Sequence, residues 1–512
     1  MKKSLRTVGI ASLVIVAPFA LQMGCTDLTE VPASSISPEN FYRNSDEVIG
    51  GLASVYAQLR STTDEYYNVS EISTDEMVVP TRGTDWYDNG KWLDIHRQTF
   101  TPNSPGGLDN INSAWTNMFI GVARANVVLS ALDNVTVADK PVVKAELRVL
   151  RAFYYYALMD LFGGVPIVTD VEVKTRAQNT RAEVSKFIED ELKAALPDLP
   201  ASWPSGMNGR LTKGAANAIL ASLYLNNQVY TGTVTTAGLQ PGPARWQDAI
   251  NASDAVLNSG VYSLAANWRQ NFTFDNNLSP EIIMAVKFAP VSGLGLNFLM
   301  RALHYSQYSP SPWNGFSTLA ETYSAFDAAD QRRQIFLAGP QFNVETGLPV
   351  KDRAGNPLIF DPNIGDVTKA PENAGVRITK WPSDPAHAAQ DNGNDYAHYR
   401  LAEIYLIKAE AMNELGNTAG ALALVNTVRA RVFTPPKPLA GPYTQAQFRD
   451  VILSERLFEL TAEGKRRQDL IRMGRYSLAW GYKPASPPYK VLMPIPQTQI
   501  DTNPLLKQNA GY

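Results

Sequence analysis

The sequence predicts a mainly α-helical protein in which antiparallel helix pairs form an α-α superhelical layer beside a loop-rich half. Three observations favour this fold class. Apolar residues recur at three- and four-residue spacing over many segments, Gly and Pro turns separate those segments, and the alternating runs typical of strands are rare. Long helices joined by short turns are typical of solenoid-like layers of helix pairs.

The composition indicates a folded protein without a nucleic-acid-binding surface. The 512 residues are 45% hydrophobic and have a formal net charge of −3, which provides material for a large core and no basic surface for phosphates. A single cysteine excludes an intramolecular disulfide and a cysteine-based zinc site, and four histidines leave few other metal ligands. We therefore predict no metal and no cofactor.

Residues 1–24 have the pattern of a lipoprotein signal peptide. Three basic residues precede an uncharged, mostly apolar run, Val8–Leu21, which is shorter than the roughly 20 residues that a membrane-spanning helix needs. Gly24 and the only cysteine, Cys25, follow closely, in an arrangement that resembles a bacterial lipoprotein cleavage site. We predict cleavage before Cys25, lipidation of this residue, and a tether over residues 25–40.

One alternative is ordinary secretory cleavage near Ala20, which would leave Cys25 as a free thiol. The lipid-anchored form is favoured because a lone cysteine is otherwise a poor choice in an exported protein. The residues after Cys25 are rich in Ser, Pro and small side chains, so they would hold the folded part away from the membrane.

The predicted helices begin and end at capping and stop signals. The first, Ser45–Arg60, opens with Ser-Asp-Glu, which places acidic residues in its first turn. Asp139–Phe162 has Pro141 in its first turn and two glycines directly after it. Its second half, Ala152–Phe162, is apolar on nearly all sides and should be buried all round. The other predicted helices are Asn112–Leu132, Arg181–Leu196, Leu211–Asn226, Arg245–Asn258, Tyr396–Leu415, Ala419–Val432, Thr444–Thr461 and Gly464–Met473.

The segment Leu401–Arg431 follows the tetratricopeptide pattern of paired helices. Five residues stand at the expected positions, whereas Lys408 replaces a leucine. Small residues in such a pair allow the two helices to approach closely. A generic helical hairpin would share much of this pattern. The matching residues are Tyr405, Ala409, Gly416, Ala421 and Val425.

A loop-rich insertion separates the two helical parts. It is rich in Pro, Gly, Asn and aromatic residues and contains one candidate strand, Glu281–Phe288. We expect residues 25–512 to form one compact unit. Its parts are an N-terminal helical part (41–265), the insertion (266–394) and a C-terminal part (395–512).

Five stretches are similar to one known family. They are LRAFYYYALMDLFGGVPIV (150–168), GRLTKGAANAILASLYL (209–225), YRLAEIYLIKAEAMNELGN (399–417) with VNTVRAR (425–431), ILSERLFELTAEGKRRQDLIRMG (452–474) and LMPIPQTQIDTNPLLKQNAGY (492–512). In this order they resemble the SusD/RagB family. The resemblance implies a SusD-like fold with four tetratricopeptide-like pairs packed against a loop-rich ligand-binding half.

The resemblance also implies a function. Members are non-catalytic glycan-binding lipoproteins at the surface of the outer membrane, so we expect an oligosaccharide ligand and attachment to the membrane through the N-terminal lipid. The expected partner is a SusC-like TonB-dependent transporter, which the protein would cover as a lid during nutrient uptake. Two alternatives stay open: the same lid role for a peptide or another non-sugar nutrient, and a surface enzyme with a carboxylate pair.

Two loop segments supply the residue types that sugar rings need. A sugar ring has an apolar CH face and a girdle of hydroxyls, so a site combines flat aromatic side chains with polar hydrogen-bonding groups. The segments 81–92 and 304–316 both contain this combination within turn-forming sequence. Alternatively, some of these rings fix the long loops to the scaffold. The candidate ligand-binding residues are Trp86, Tyr87, Trp92, Tyr305, Tyr308, Trp313 and Asn314.

Charged motifs could indicate other chemistry. The acidic residues between Glu455 and Asp469 could supply the carboxylate pair of a glycosidase, but their three- and four-residue spacing with arginines favours ion pairs within a helix. The run Lys465-Arg466-Arg467 is interpreted as a solvated helix face. Asp75 and Glu76 could bind calcium, although two adjacent carboxylates alone are a poor ligand set.

Overall fold

A computed structural model describes residues 42–512 and shows how the helices are arranged. These residues form one compact unit. The signal peptide (1–24), the lipidation site Cys25 and the tether (25–40) lie outside the described residues and stay predictions.

The longer helices occur in two blocks, one before and one after the loop-rich insertion. The α-helices of the described chain are α1 (Ser45–Gln58), α2 (Glu65–Ile72), α3 (Lys91–His96), α4 (Asn112–Leu132), α5 (Lys140–Phe162), α6 (Arg181–Ala195), α7 (Lys213–Leu225), α8 (Asn227–Tyr230), α9 (Trp246–Leu257), α10 (Phe298–Ala302), α11 (Ala320–Ala325), α12 (Leu401–Glu414), α13 (Thr418–Arg429), α14 (Gln445–Leu460), α15 (Arg466–Arg472) and α16 (Gln497–Thr502).

The long helices pack side by side in a continuous layer. In the first block α1 packs on α4, α4 on α5, α5 on α6 and α6 on α7. The layer continues as α7 packs on α9, α9 on α12, and α12 on both α13 and α14. This arrangement confirms the predicted mainly α-helical fold of packed helix pairs.

The second half of α5 is buried on every side, as predicted. All residues from Ala152 to Phe162 are buried. The Tyr154 hydroxyl donates to the backbone oxygen of Val55 at 2.7 Å. Its ring lies so close to Gly121 of α4 that a Cβ there would come within 2.6 Å of it. Glycine at this position therefore allows α4 and α5 to pack closely.

Helices α12 and α13 form the predicted hairpin. Ala409 and Ala421 are fully buried against each other's helix in one apolar cluster. The turn between the helices contains Gly416, whose φ of +85° is unfavourable for other residues. Lys408, which departs from the pattern, places its ammonium 2.5 Å from Asp254 of α9. The departure thus supplies an ion pair to the neighbouring helix.

Short strands pair in the described chain as four separate antiparallel ribbons, β1–β2, β3–β8, β4–β7 and β5–β6. The strand β3 lies within the predicted strand Glu281–Phe288 and confirms it. The strands are β1 (Thr233–Thr235), β2 (Gly238–Gln240), β3 (Ile282–Val286), β4 (Phe336–Leu337), β5 (Gly339–Pro340), β6 (Ile359–Phe360), β7 (Arg377–Ile378) and β8 (Tyr396–Arg400).

The strand β8 corrects the predicted helix Tyr396–Leu415. All five residues of Tyr396–Arg400 are buried and four of them pair with β3, and α12 begins only at Leu401. A short segment that is buried on both faces has no polar face to reveal its period, so sequence spacing alone cannot distinguish strand from helix. The aromatic residues of β8 favour the strand.

The charged residues from Glu455 to Asp469 are buried and most of them pair with other elements, which corrects two predictions. The Glu459 carboxylate lies 2.5 Å from both Arg400 and Arg431 and 3.0 Å from Arg332. Pairing within the helix is therefore the wrong prediction for this residue. The run Lys465-Arg466-Arg467 is likewise buried rather than solvated. Buried charges are stable only when they are paired, so this cluster joins the C-terminal helices to β8 and to the insertion.

Candidate functional site

The two aromatic loop segments predicted from sequence lie side by side on the loop-rich half. The Trp86 indole N–H donates to the backbone oxygen of Trp313 at 2.6 Å. The Tyr305 hydroxyl donates to the Asp85 carboxylate. A backbone bridge between Val78 and Ser317 holds the two segments together nearby. The fold therefore brings residues more than 200 positions apart into one surface.

Three rings form the base of this surface. The ring centroids of Trp86, Trp92 and Phe316 lie 5.4 to 5.7 Å apart, and each pair meets edge to face. A Cβ at Gly315 would come within 2.3 Å of the Trp86 indole, so only glycine leaves room for that ring. Edge-to-face packing of this kind fixes the ring orientations.

Three of the predicted residues are buried and hold the loops in place. Trp92 is 6% exposed and its indole N–H donates to Asp88 at 2.6 Å. The Tyr308 hydroxyl donates to the Asn392 side chain at 3.3 Å. The Asn314 amide is fully buried and donates to the backbone oxygen of Glu372 at 2.9 Å. These three side chains lie beneath the surface that a ligand can reach.

The other four predicted residues are accessible and define the aromatic platform: Trp86, Tyr87, Tyr305 and Trp313. Tyr87 is 58% exposed and Trp313 is 36% exposed, whereas Trp86 and Tyr305 are half-buried. Flat rings that are open to solvent on one face suit the apolar face of a sugar.

Charged side chains surround the Tyr305 edge of the platform. The Arg353 guanidinium stacks 3.7 Å from the centre of the Tyr305 ring and lies 3.3 Å from the Asp85 carboxylate. Glu372 accepts from the Arg353 backbone N–H at 2.8 Å and lies 3.3 Å from the His304 ring. Burial lowers the pKa of His304, so its ring is neutral at neutral pH. The rim thus offers both hydrogen-bond donors and acceptors.

The loop that presents Trp86 has an unusual backbone. Trp86, Asp88 and Asn89 have φ values of 63°, 39° and 58°, in the region that favours glycine. Such residues cost about 1–3 kcal/mol each and occur where the surrounding contacts fix them. The hydrogen bond and the ring contacts of Trp86 supply this fixation. The Trp86 ring packs against the core rings below it, and the neighbouring Tyr87 ring is exposed to solvent.

Two buried arginines support the platform and were not predicted from sequence. Arg82 donates to the backbone oxygen of Asn314 at 2.8 Å and to the Ser317 hydroxyl at 2.9 Å. Arg377 donates to the same hydroxyl at 2.9 Å and to the Asn314 side chain at 2.8 Å. Burial lowers the pKa of Arg82 to about 10 and that of Arg377 further below its ordinary value. Isolated arginines in loop sequence give no pattern that would identify this role.

The proposed calcium ligands have other partners. The Asp75 carboxylate forms a bidentate ion pair with Arg466, with both distances at 2.7 Å. Glu76 is buried and accepts from the backbone N–H of Ala462 at 2.9 Å. Across residues 42–512 no group of three or more acidic, His or Cys side chains is placed to hold a metal ion.

Two family models match the sequence. The model described as "SusD family" matches residues 218–512, which is more than half of the chain. The chain belongs to the SusD family. A second model, described as "Starch-binding associating with outer membrane", matches residues 33–225. The SusD family membership confirms the resemblance seen in the five sequence stretches.

The chain is similar to named SusD proteins over most of its length. It is 26% identical to SusD-like protein P25 of Formosa agariphila, over 95% of this chain and 96% of that protein. It is 25% identical to starch-binding protein SusD of Bacteroides thetaiotaomicron, over 87% of this chain and 85% of that protein.

A solved structure shares the SusD fold. It is surface glycan-binding protein A from Bacteroides thetaiotaomicron in complex with laminarihexaose, which superimposes with a TM-score of 0.71 at 20% identity. The match covers 91% of this chain and 99% of the other.

None of the helices in the described part of the chain is long and apolar enough to cross a membrane.

Proposed function

We propose that this SusD-family protein is a non-catalytic lipoprotein of the cell surface that binds an oligosaccharide at the aromatic platform. The observation that supports this proposal is the set of four accessible rings beside the Asp85, Arg353 and Glu372 side chains. The name of the starch-binding relative and the laminarihexaose complex of the structural neighbour support the same class of ligand.

The platform geometry suits weak binding. A ring that stacks against its ligand contributes about 0.5–1.5 kcal/mol beyond its buried area. A few such rings with a polar rim give a dissociation constant between about micromolar and millimolar, or roughly −8 to −4 kcal/mol. Weak binding with fast release fits a protein that must pass its ligand on.

Affinity electrophoresis tests the ligand class and the site together. Migration of the protein should be retarded by one polysaccharide in a panel of plant, microbial and host glycans. Trp313→Ala should weaken binding about tenfold, the loss of about 1.4 kcal/mol expected for a stacked ring. Phe274→Ala removes an aromatic side chain of 48% exposure outside the platform and should bind like the unchanged protein.

The outcomes separate the alternatives. Retardation that is lost in Trp313→Ala but kept in Phe274→Ala supports the platform. Retardation that is equal in all three proteins places the glycan site elsewhere. Retardation by no glycan, together with binding of peptides in a calorimetric titration, would favour the non-sugar nutrient over the oligosaccharide.

We further propose that the protein covers a SusC-like TonB-dependent transporter as a lid and delivers the ligand when the lid closes. The family model named for association with the outer membrane and the predicted lipid at Cys25 support this location. A tagged full-length protein purified from outer membranes should bring a TonB-dependent barrel with it. Recovery without such a barrel would contradict the lid role and leave the glycan proposal untouched.

A further inference from the structure

A cavity of about 170 Å³ lies between the segment 202–212, which leads into α7, and the strand β3. Two aromatic rings, Trp203 and Tyr262, line it together with polar and charged side chains. The cavity shares no residue with the aromatic platform. Pockets that enclose drug-sized ligands measure roughly 300–1,000 Å³, so this cavity has room for one small ring rather than for a chain of sugars.

The two rings of the cavity are fixed by contacts within the protein. The Trp203 indole N–H donates to the backbone oxygen of Leu211 at 2.8 Å. A hydrogen bond of 2.8 Å joins the hydroxyl groups of Tyr262 and Thr212. The Arg210 guanidinium stacks 3.9 Å from the centre of the Trp203 ring. Because these contacts need no ligand, the walls of the cavity are formed in advance.

The cations of the cavity are more accessible than the carboxylates that pair with them. The Lys287 side chain is 40% exposed, whereas that of its partner Asp395 is 3% exposed. The Arg210 side chain is also partly exposed, and its partner Glu146 is fully buried. A ligand in the cavity therefore meets N–H donors more than carboxylate oxygens, and its own oxygen atoms can accept from them.

Gly209 allows Lys287 to reach its position at the cavity. This glycine has a φ of +97°, and a Cβ there would come within 2.6 Å of the Lys287 side chain. The lysine stem therefore lies against the turn, and its ammonium donates to the Asp395 carboxylate. The backbone N–H of Phe288 donates to the same carboxylate at 3.0 Å. These contacts hold the ammonium at the cavity.

Other polar groups at the cavity are free to bind a ligand. The exposed Asn277 amide has no hydrogen-bond partner within residues 42–512. Arg60 lies in a neighbouring groove that shares Arg210 and Lys287 with the cavity. Its Nε donates to the backbone oxygen of Lys287 at 3.0 Å, and its two terminal nitrogens donate to no group of the described chain. Arg60 therefore adds a third cation beside the cavity.

We propose that this cavity is a second carbohydrate site, which binds a single uronic acid ring. The apolar CH face of the ring packs on an aromatic wall, its hydroxyls bond to Asn277, and its carboxylate faces Lys287 and Arg210. A carboxylate adds less bulk to a sugar than a sulfate ester does, which suits the small volume. The inference does not depend on the platform, because the two sites share no residue.

Saturation-transfer NMR tests the ligand class. The chain from residue 26 onward, which contains the whole compact unit, should bind free galacturonic acid or free glucuronic acid. Galactose and glucose, which have a hydroxymethyl group in place of the carboxylate, should bind at least about tenfold more weakly. The reason is that hydrogen bonds to an ionised group are about twice as strong as neutral ones.

Four variants test the position of the site. Asn277→Asp adds a negative charge at the cavity and should weaken binding of the acidic sugar about tenfold. Asn134→Asp adds the same charge in the exposed turn between α4 and α5 and is the matched control. Trp203→Ala removes a wall of the cavity and should abolish binding. Trp313→Ala, on the platform, should bind the acidic sugar normally.

Thermal unfolding curves check that the variants are folded. Asn277 is exposed and unpartnered, so Asn277→Asp should unfold like the unchanged protein and keeps the test valid even if Trp203→Ala is unstable. The proposal is overturned if neither acid binds, if the neutral sugars bind as tightly, or if Asn277→Asp binds like Asn134→Asp. Loss of binding in Trp313→Ala would also overturn it, because the acid would then lie on the platform.

Discussion

Replacing Glu71 by Gln should remove a pH dependence from the free energy of unfolding. Glu71, at the end of α2, and Glu76 are 0% and 1% exposed. The backbone N–H of Gly464 donates to Glu71, and that of Ala462 donates to Glu76. Oε2 of Glu71 accepts no hydrogen bond from the N–H and O–H groups placed in residues 42–512. The Glu76 carboxyl group lies beside the Glu71 carboxyl group. We therefore expect the two carboxyl groups to share a proton.

The size of the effect follows from the pKa of the pair. Burial raises the pKa of Glu71 from 4.5 to about 7, and burial together with the Glu71 charge raises the pKa of Glu76. A raised pKa in the folded state means that stability is fully present below pH 4.5 and is lost as the pH rises to about 7. At about 1.4 kcal/mol per pH unit, the loss is about 3 kcal/mol.

Glutamine at position 71 imitates the protonated acid, because its carbonyl accepts from Gly464 and its amide donates to Glu76. The variant should match the unchanged protein near pH 4.5 and exceed its free energy of unfolding by about 3 kcal/mol at pH 8. Denaturant unfolding at both pH values measures the difference. Burial also lowers the pKa of His96 and His398, so their contribution to the free energy of unfolding is lost as the pH falls. Both proteins contain these histidines, so the difference between their free energies of unfolding does not include this contribution.

The exposed Glu321→Gln is the matched control and should leave the pH dependence as it is. A Glu71→Gln variant that is equally more or less stable at pH 4.5 and pH 8 would refute the shared proton. In that case the two carboxyl groups would be ionised, or protonated, throughout the range.

Two further predictions concern the buried charges and the platform. Arg400→Met removes one cationic partner from each of three buried carboxylates and should lower the free energy of unfolding by about 3–5 kcal/mol. Lys186→Ala, in an exposed pair, should change it by less than about 1 kcal/mol in denaturant titrations. Equal effects would contradict the assigned burial. Gly315→Ala should displace the Trp86 ring and weaken glycan binding at least tenfold in affinity electrophoresis, while Gly50→Ala, where a Cβ meets nothing within 4 Å, should bind normally. Normal binding by Gly315→Ala would show that the Trp86 ring does not contribute to glycan binding.

Secondary structure could be predicted from the sequence where the spacing of apolar residues distinguishes a helix from a strand. The spacing of apolar residues gave the long helices, and the apolar second half of α5 is buried as that pattern predicts. The same argument failed for Tyr396–Arg400, because burial on both faces removes the alternation of polar and apolar residues. Burial on both faces therefore limits what the spacing of apolar residues can reveal about a short segment.

The exposure of the candidate site residues was predictable only at the level of segments. Both aromatic loops were found from composition, but Trp92 and Trp313 look alike in sequence, and tertiary packing buries one and exposes the other. Arg82 and Arg377 gave no signal because the groups through which they support the platform, on Asn314 and Ser317, lie far from them in the sequence. The partners of Glu459 also come from remote parts of the chain, which a helical spacing rule cannot include.

The pairing of β3 with β8 has a consequence for how such a protein can diversify. The two strands lie side by side, so the chain between them, residues 287–395, leaves and re-enters the helical layer at one place. Doubling the length of a closed loop costs only about 0.6 kcal/mol of closure entropy. Recombination at this strand pair can therefore exchange most of the loop-rich insertion in a single event, provided that the new loop accommodates the Trp86 ring.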